Sequence, residues 1–438
     1  MRKYTLSFLL ILIDIIVLIS LFYLTHYIRG SLSDSSLPPF KMLQIRDFSF
    51  VIFVILALLF YEKIYTLRYD FWQETRKIMK SLFYGYLIIM ALLTLSKVSQ
   101  EYSRLFISLY FMFALFVLPV VKRLCKKVFY KIGFFIKRVY IVGEESQVDI
   151  FKKEFRENWY LGLRYSDTKY DTVIIASKGT DTATMKRRVA KYLQNHTEVY
   201  IVPYVSSVNF ANSSIMEYFN IRHTTIQVEN KLLLQHNIWI KSVAEFFMTL
   251  FILPLFLAIH VVISLLIRAD SKGAVFFKQY RLGKDDNDFL CYKYRTMYED
   301  STALLDKYLL EHPQEIAYYE KYHKYKNDPR ITKIGKILRA TSLDELPQII
   351  NVLKREMSLV GPRPYMISEA EKLGEYKDFV LKVKPGITGL WQVSGRNNLT
   401  FKERNELDIW YINNWSLWAD FVIMMKTIKV VLSKVGAR

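Results

Sequence analysis

The stretch VAEFFMTLFILPLFLAIHVVISLLI, residues 243–267, decides how this fold is arranged. It is long and apolar enough to cross a bilayer, which takes about 20 residues. Pro254 lies in its middle, and a proline inside a helix removes a hydrogen bond and kinks the helix. Lys241 precedes the stretch, and Arg268 and Lys272 follow it. Because cytoplasmic flanks retain basic residues, we predict a re-entrant membrane helix over residues 240–268 with both ends in the cytoplasm. The alternative is an ordinary fifth span with a tolerated proline.

Four more apolar segments precede this helix and predict a bundle of four transmembrane helices within residues 1–125. A run of basic residues with no acid among them follows the fourth segment. The N-terminus and everything after residue 122 are therefore expected in the cytoplasm. The four segments are residues 6–27, 48–61, 81–95 and 105–121. The basic run contains Lys122, Arg123, Lys126, Lys127, Lys131, Lys137 and Arg138.

Asp14 lies inside the first of these predicted helices. A carboxylate within a membrane is a functional candidate by default. No partner for it is visible in the other predicted helices. We therefore favour a packing contact inside the bundle, or a shallow position near the interface, over a functional role.

Residues 138–235 alternate between β-branched runs and amphipathic helical stretches, which predicts a parallel α/β module. The runs are residues 139–142, 173–176 and 199–202. The turn after the first run reads Gly143-Glu144-Glu145-Ser146, which supplies one glycine of the dinucleotide pattern and two acids where a pyrophosphate would lie. We expect a degenerate Rossmann-like module that has a structural or regulatory role and no working dinucleotide site.

The composition fits a chain that lies partly in lipid and partly in water. Hydrophobic residues make up 52% of it, yet the mean hydropathy is only slightly positive. The 61 Lys and Arg exceed the 41 Asp and Glu, and the net charge of +20 favours anionic partners. Nucleic acid is disfavoured because the basic residues cluster near membrane segments and phosphate-like motifs. Cys125 and Cys291 have no metal-ligand spacing, and a disulfide framework is not expected.

The segment from residue 270 to the end carries the chemistry. The run TSLDELPQ, residues 341–348, places Asp344 and Glu345 side by side at a predicted helix start. Taken alone, Ser342 and Glu345 match a capping box, and Asp344 would interact with the helix dipole. On that interpretation the acids stabilise a helix end and have no chemical role.

Nearby motifs favour a phosphate site instead. The run GPRP at 361–364 forms a rigid turn that presents the guanidinium of Arg363, and a glycine-containing run from residue 384 leads through Gln392 to Arg396. Glycines let backbone approach a ligand closely, and arginines suit phosphate oxygens.

Two cations and one acid complete the predicted site. Lys293 and Arg295 lie on a predicted strand, where the alternative is a solvated strand face. Asp408 adds a further acid, for which the alternative is a salt bridge to one of the arginines. Two adjacent carboxylates among fixed cations match a phosphoryl-transfer site with a divalent metal.

From about Lys241 to the end, the chain resembles the bacterial sugar transferase family, the monotopic phosphoglycosyl transferases. The whole chain is similar to the long members, which carry four N-terminal spans and a degenerate nucleotide-fold module. It departs from their usual pattern in having Leu253 before Pro254, and Glu245 near the start of that helix. The motifs shared in order are FFKQ at 276–279, YKYRTM at 292–297, SLDELPQ at 342–348, GPRP at 361–364 and KPGITGL at 384–390.

The resemblance implies transfer of a hexose-1-phosphate from a UDP-sugar to polyprenyl phosphate, which starts polysaccharide or glycoconjugate assembly. The family's dyad maps onto Asp344 and Glu345, its phosphate-binding arginine onto Arg339, and its later essential acid onto Asp408. Asp344 is expected to form a phospho-aspartate intermediate, and Glu345 to hold Mg²⁺. The other expected substrate-binding residues are Lys293, Arg295, Arg363, Gln392 and Arg396.

The expected fold is a membrane α-helical bundle plus α/β. In order it comprises four transmembrane helices, the Rossmann-like module, the re-entrant helix and an α+β catalytic domain over residues 270–438. The resemblance places the chain in the bacterial inner membrane, in contact with the lipid bilayer and with the catalytic domain facing the cytoplasm. The extra N-terminal domains are compatible with a homodimer.

Two other functions stay open from the sequence. A membrane-anchored assembly or lipid-binding protein would use the cationic face to bind lipid head groups and would not need the acid pair. A nucleotide-sugar oxidoreductase or epimerase would use the middle module, and it would need glycines that Gly143 alone does not supply.

Overall fold

The structure, a computed structural model, forms two compact units, residues 1–204 and 205–438. These units are coarser than the four domains predicted above, whose boundaries stay a prediction. The residues described are 2–32, 44–95, 103–133, 135–195, 199–202, 214–218, 223–227, 231–299, 301–315, 325, 328–395 and 399–433.

Four helices form a bundle in the first unit, as the apolar segments predict. Each begins earlier or ends later than its apolar core, because the helical backbone continues into polar flanks. The core of the bundle is closed by fully buried side chains such as Leu18, Phe48 and Ile55. Of the four, α1, α3 and α4 are long and apolar enough to cross a membrane, whereas α2 has 17 residues. The helices are α1 (Arg2–Ser31), α2 (Ile45–Tyr61), α3 (Phe71–Leu95) and α4 (Arg104–Lys131).

Asp14 has the partner that the sequence did not reveal. Its carboxylate is fully buried, and its Oδ2 atom forms an ion pair of 2.6 Å with Lys122 Nζ. The same oxygen accepts a hydrogen bond of 2.6 Å from the Tyr65 hydroxyl. The sequence assigned Lys122 to a basic flank, but α4 continues to Lys131 and carries Lys122 into the bundle. Asp14 is therefore part of a buried charge pair inside the bundle, which agrees with the favoured packing contact, although the sequence did not show its partner.

A four-stranded parallel sheet follows the bundle, with the strand order β2-β1-β3-β4. Three strands match the predicted β-branched runs, and β2 was missed because it has three residues. Gly143 ends the first strand, where a Cβ atom would lie 2.7 Å from that of Ala176. This glycine is needed for packing whether or not a ligand binds. The elements are β1 (Lys137–Val142), α5 (Glu145–Glu157), β2 (Leu163–Tyr165), β3 (Thr172–Ala176), α6 (Thr182–Asn195) and β4 (Val199–Val202).

The second unit begins with a β-hairpin and the long helix α7, and continues as short strands packed among helices. Strands β7 and β8 pair antiparallel, and β9 and β10 pair parallel. The elements are β5 (Ser214–Tyr218), β6 (His223–Gln227), α7 (Gln235–Asp270), β7 (Phe276–Arg281), β8 (Phe289–Tyr294), α8 (Ser301–Glu311), α9 (Lys333–Thr341), α10 (Ile349–Leu353), β9 (Ser358–Val360), α11 (Ala370–Leu373), α12 (Lys377–Val380), β10 (Gly386–Thr388), α13 (Leu390–Ser394), α14 (Phe401–Asn413) and α15 (Leu417–Ser433).

The beginning of α7 is tied to the rest of this unit by a buried charge network. Lys241 Nζ forms ion pairs of 2.8 Å with both Glu245 and Asp420. Glu245 also accepts a hydrogen bond of 3.1 Å from the Leu359 amide, next to the parallel strand pair. Because a buried charge without a partner is costly, this arrangement holds the membrane helix against the domain that follows it.

The end of α7 packs on the same domain. Ile263 and Ile267 are buried in a cluster with Tyr294 and Leu338. His260 stacks against the ring of Tyr294, and its Nδ1 lies 2.9 Å from the Tyr294 hydroxyl. Both ends of the helix therefore contact one domain, while the helical assignment runs unbroken through Pro254.

Removing one member of the Asp14–Lys122 pair should destabilise the bundle, because the other charge would stay buried and unpaired. We expect Asp14→Leu or Lys122→Leu to lower the free energy of unfolding by about 3–5 kcal/mol, and the double variant to lose less than either single variant. Denaturation of the purified protein in mixed micelles measures this. The half-exposed Lys80, paired with Glu62, is the control, and Lys80→Leu should cost about 1 kcal/mol or less. Additive losses in the double variant would contradict the pairing.

Candidate active site

The β7–β8 hairpin forms one wall of a cavity in the second unit. Its register pairs Phe277 with Lys293, and Gln279 with Cys291. Side chains alternate between the two faces of a strand, so Lys293 and Arg295 project to the same side. Both side chains line the cavity, and their role as substrate-binding residues stays a prediction.

Helix α9 approaches this wall closely because of a glycine. Thr332 caps the helix by accepting a hydrogen bond of 2.9 Å from the Gly335 amide. A side chain at Gly335 would collide with the carbonyl of Thr296. One turn further along, Arg339 Nε donates to Thr296 Oγ1 at 2.9 Å. The glycine thus lets the helix seat Arg339 beside the end of β8.

Asp344 and Glu345 follow directly after α9. Ser342 ends this helix in the left-handed conformation, with φ 57°, and a short 3₁₀ segment, Leu343–Gln348, begins. Within the described chain, Ser342 makes no side-chain capping bond, and Glu345 Oε1 instead accepts a hydrogen bond of 2.6 Å from Lys293 Nζ. The capping-box interpretation therefore does not describe this turn, and the acid pair faces the cations of the hairpin.

Asp344 sits in an environment suited to chemistry near neutral pH. Burial, and to a smaller extent the adjacent Glu345, raise the pKa of this carboxyl to about 6 against the opposing effect of Lys293 and Arg339. Burial disfavours the charged form of a carboxyl group and nearby cations favour it, so the two effects shift the pKa of Asp344 in opposite directions. A carboxylate of this kind is mostly ionised at pH 7 and is poorly solvated, which leaves it reactive.

The cavity has a volume of about 1,590 Å³. Ligand sites are usually about 300–1,000 Å³, so this one has room for two substrates. Basic side chains in its lining outnumber acidic ones, which favours phosphate-bearing ligands. The basic residues are Arg281, Lys293, Arg295, Arg330, Lys336 and Arg339, and the acidic ones are Glu299, Asp328, Asp344 and Glu345.

Arg295 has structural partners and one spare donor. Its Nη2 donates to the carbonyl of Ser271 at 2.7 Å, which fastens β8 to the end of α7. Its Nη1 forms an ion pair of 3.5 Å with Glu299, and among the described residues its Nε atom is buried without a hydrogen-bond acceptor. A buried donor without an acceptor is costly, so a ligand oxygen would improve the site.

Trp391 and Gln392 form part of the opposite wall. The guanidinium of Arg363 lies over the Trp391 ring, 5.7 Å from its centroid. Gln392 donates to the Ile387 carbonyl at 3.4 Å. The structure thus brings Gln392 to the cavity, while Arg363 stands behind Trp391.

Asp408 lies in the interior of the protein, next to the turn formed by residues 361–364. It is fully buried, and its Oδ2 accepts hydrogen bonds from the Tyr365 hydroxyl at 2.9 Å and from the Arg363 amide at 3.4 Å. Burial raises the pKa of Asp408 to about 7, although these two bonds lower it. Its contact with Arg363 is to the backbone, so it supports the shape of the turn. Arg396, also predicted to bind substrate, lies outside the described residues.

Comparison with known proteins assigns the chain that forms this cavity to a family. A family model described as bacterial sugar transferase matches residues 236–434. An uncharacterized sugar transferase of Haemophilus influenzae is 32% identical over 404 residues, which cover 85% of each chain. This chain belongs to the bacterial sugar transferase family. The motifs quoted from the sequence predicted the same family, and that prediction is confirmed.

Two further relatives carry more specific names. The undecaprenyl-phosphate galactose phosphotransferase of Salmonella typhimurium is 31% identical, over 85% of this chain and 84% of that protein. The UDP-glucose:undecaprenyl-phosphate glucose-1-phosphate transferase of Klebsiella pneumoniae is 33% identical, over 59% of this chain and 54% of that protein. The first of these matches extends well beyond the cavity-bearing unit, so the similarity includes the N-terminal helices.

The residues of this sugar transferase fit a bound Mg²⁺ only together with a substrate. Among the described residues, no three His, Cys, Asp or Glu side chains converge on one point. Mg²⁺ is usually held by one or two carboxylates plus substrate phosphates and water, and Asp344 and Glu345 supply two carboxylates. Glu345 would exchange its contact with Lys293 for the ion.

Several cavity residues were not predicted as site residues from the sequence, among them Arg281, Arg330 and Trp391. Arg281 lies on β7 with its Nε buried and, within the described residues, without an acceptor. Strand alternation could have found it, because β7 residues 277, 279 and 281 share one face. Arg330 pairs with Asp328 at 2.6 Å. No local signal predicts that Trp391 faces these residues, since it comes from a helix about 60 residues further along the chain.

Proposed function

We propose that this sugar transferase moves a hexose-1-phosphate from a UDP-sugar to polyprenyl phosphate, using Asp344 as the nucleophile. The observation that carries the proposal is the position of Asp344. It is a half-buried carboxylate with a raised pKa, under the influence of Arg339 and Lys293, in the lining of a large cationic cavity. The names of the relatives from Salmonella and Klebsiella support the lipid acceptor, and the second supports a UDP-linked donor.

In the first step, an Asp344 oxygen attacks the β-phosphorus of the donor. A new bond forms between phosphorus and the carboxylate oxygen, and the bond from phosphorus to the bridging oxygen breaks. UMP leaves with that oxygen and the electron pair. Arg339 and Lys293 neutralise charge on the transferring group, which is the main task in phosphoryl transfer. Mg²⁺ bound at Glu345 would add to this neutralisation.

In the second step, a phosphate oxygen of polyprenyl phosphate attacks the sugar-phosphoryl aspartate. The bond between phosphorus and Asp344 breaks, the carboxylate is regenerated, and the product is a sugar joined to the lipid by a diphosphate. A covalent intermediate divides one difficult displacement into two. The spare donors of Arg281 and Arg295 are suited to hold the second phosphate, because they line the same cavity.

Asp344→Asn tests the nucleophile. The full chain in detergent should release UMP from a panel of UDP-sugars, and a burst of UMP should occur even without polyprenyl phosphate. We expect Asp344→Asn to remove the burst and to reduce turnover by roughly 10³-fold or more, because the attacking oxygen is lost. Asp378→Asn, an exposed acid away from the cavity, is the matched control and should behave as wild type. Near-normal turnover of Asp344→Asn would mean that another group attacks the donor, and the assignment of the nucleophile would be wrong. Absence of UMP release by the wild type across the panel would favour a lipid-binding protein without this chemistry.

The pKa of Asp344 predicts the acid limb of the pH profile. The nucleophile must be ionised, so single-turnover UMP release should fall as the pH drops through about 6. Glu345→Gln removes a negative neighbour and should move this limb to lower pH. Lys293→Met removes a positive neighbour and should move it to higher pH.

The two substitutions therefore form an opposed pair. Each is measured at saturating Mg²⁺, so that a loss of metal affinity does not imitate a shift of the limb. Shifts of both variants in the same direction would mean that another group sets the limb.

We also propose that α7 enters and leaves the membrane by the cytoplasmic face. Its 36 residues would extend about 54 Å as a straight helix, and the hydrocarbon core is about 30 Å thick. Length therefore permits a full span as well. The contacts favour re-entry, because Lys241 near one end and Ile267 near the other are both buried against one polar domain. A nucleotide-sugar donor is cytoplasmic, which requires the cavity to be so too.

Single cysteines at Lys231 and Lys272 test this path. In a background without Cys125 and Cys291, both should resist a membrane-impermeant thiol reagent in intact cells and react after lysis. Labelling of the Lys272 site from outside would establish a true fifth span, and the cytoplasmic donor would then be excluded.

A further inference from the structure

A second cavity, of about 1,220 Å³, lies within residues 1–204. It is bounded by the beginning of α1, the segment after α2, the end of α4 and the edge of the parallel sheet. One side is apolar and includes Leu6, Leu10 and Leu67. This side continues into the surface of a helix long enough to cross a membrane, so a lipid chain could reach it.

The other side of the cavity is strongly basic. Its lining contains a single acid, Asp171, whose Oδ2 already accepts a hydrogen bond of 3.0 Å from the Arg138 amide. A cavity with one acid and several cations attracts anions. The basic lining residues are Arg68, Lys126, Lys137, Arg138, Arg164 and Lys169.

Three of these cations have structural partners, and one of them is Lys137, whose Nζ lies 5.8 Å from the centroid of the Tyr200 ring. Lys126 forms a buried ion pair with Glu74. Arg68 donates to the carbonyls of Phe135, Leu161 and Gly162. Arg164 and Lys169, in contrast, are exposed at the rim of the cavity. The net attraction for an anion therefore depends on the rim residues, which substitution can test without breaking those contacts.

Thr172 supplies an independent sign of a ligand. It lines the cavity and is 2% exposed. Within the described residues its Oγ1 atom is buried without a hydrogen-bond partner. An unpaired buried hydroxyl is unfavourable, and a bound phosphate oxygen would accept a hydrogen bond from it.

We propose that this cavity binds the phosphate group of an anionic membrane lipid, with the lipid chain along α1. Basic pockets beside membrane helices have the chemistry to bind such head groups. Anionic phospholipid and polyprenyl phosphate both carry this group, and the apolar side of the cavity distinguishes both from free phosphate. The site lies apart from the acid pair, and its occupancy does not depend on the proposed transfer reaction.

Photo-cross-linking tests the site on the full chain, purified in neutral detergent and freed of lipid. A photoactivatable phosphatidylglycerol should label residues 64–69 or the first turns of α1, as mapped by peptide mass spectrometry. We expect Arg164→Ala with Lys169→Ala to reduce this labelling at least fivefold. Arg187→Ala with Lys191→Ala removes the same two charge types from an exposed helix face outside the cavity, and should leave labelling unchanged. Equal labelling of the two double variants would overturn the proposal.

Competition distinguishes the sources of the phosphate. Unlabelled phosphatidylglycerol and polyprenyl phosphate are compared at equal mole fraction, and the lipid that suppresses labelling more strongly is assigned to the site. Suppression by inorganic phosphate at equal concentration would overturn the assignment to a lipid. Thr172→Val should weaken labelling while the unliganded protein melts no lower than wild type. Unchanged labelling of Thr172→Val would overturn the proposed contact with the hydroxyl.

Discussion

The buried ion pairs of Lys241 with Glu245 and Asp420 are the interaction on which the cavity-bearing unit depends. One cation near the start of a membrane helix binds an acid on its own helix and an acid on α15, far along the chain. Tyr411 completes the network by donating to Asp420 at 2.6 Å. Because breaking a buried pair leaves an uncompensated charge, the helix and the domain stay joined. The cavity is therefore held at a fixed position relative to this helix.

In the acid pair of Asp344 and Glu345, burial and nearby charges affect the pKa of a carboxyl group rather than join two elements of the fold. Asp344 is less buried than the acids of the Lys241 network, but its two nearby cations do not fully offset the loss of solvent, so its pKa stays raised. Glu345, which keeps a direct partner in Lys293, is partly exposed. The two neighbouring carboxylates thus have distinct environments, as the separate roles proposed for them require. Arg339 is fixed by Thr296 and a glycine contact, so little reorganisation is needed around the reacting group.

The first unit repeats the pattern of charges buried in pairs. Asp14 with Lys122, and Glu74 with Lys126, tie helices of the bundle together at its basic end. Nearby, the cations that line the second cavity have almost no acids to offset them. Paired charges therefore give this end of the bundle its structure, while the excess cations give it an affinity for anions. Both features follow from the composition, because the chain contains more Lys and Arg than Asp and Glu.

The sequence by itself determined the helices, the family and most of the acid and cation positions. Apolar length predicts α1 to α4 and α7, and motifs such as SLDELPQ predict the acid pair, because both signals lie within short stretches of chain. Tertiary structure alone decided that Asp14 meets Lys122, that Glu345 binds Lys293 rather than capping a helix, and that Trp391 joins the cavity while Asp408 lies behind it. Local patterns state which residues share an element. Contacts between elements depend on how helices and strands pack. For these residues, the hydrophobic pattern of the sequence does not predict that packing.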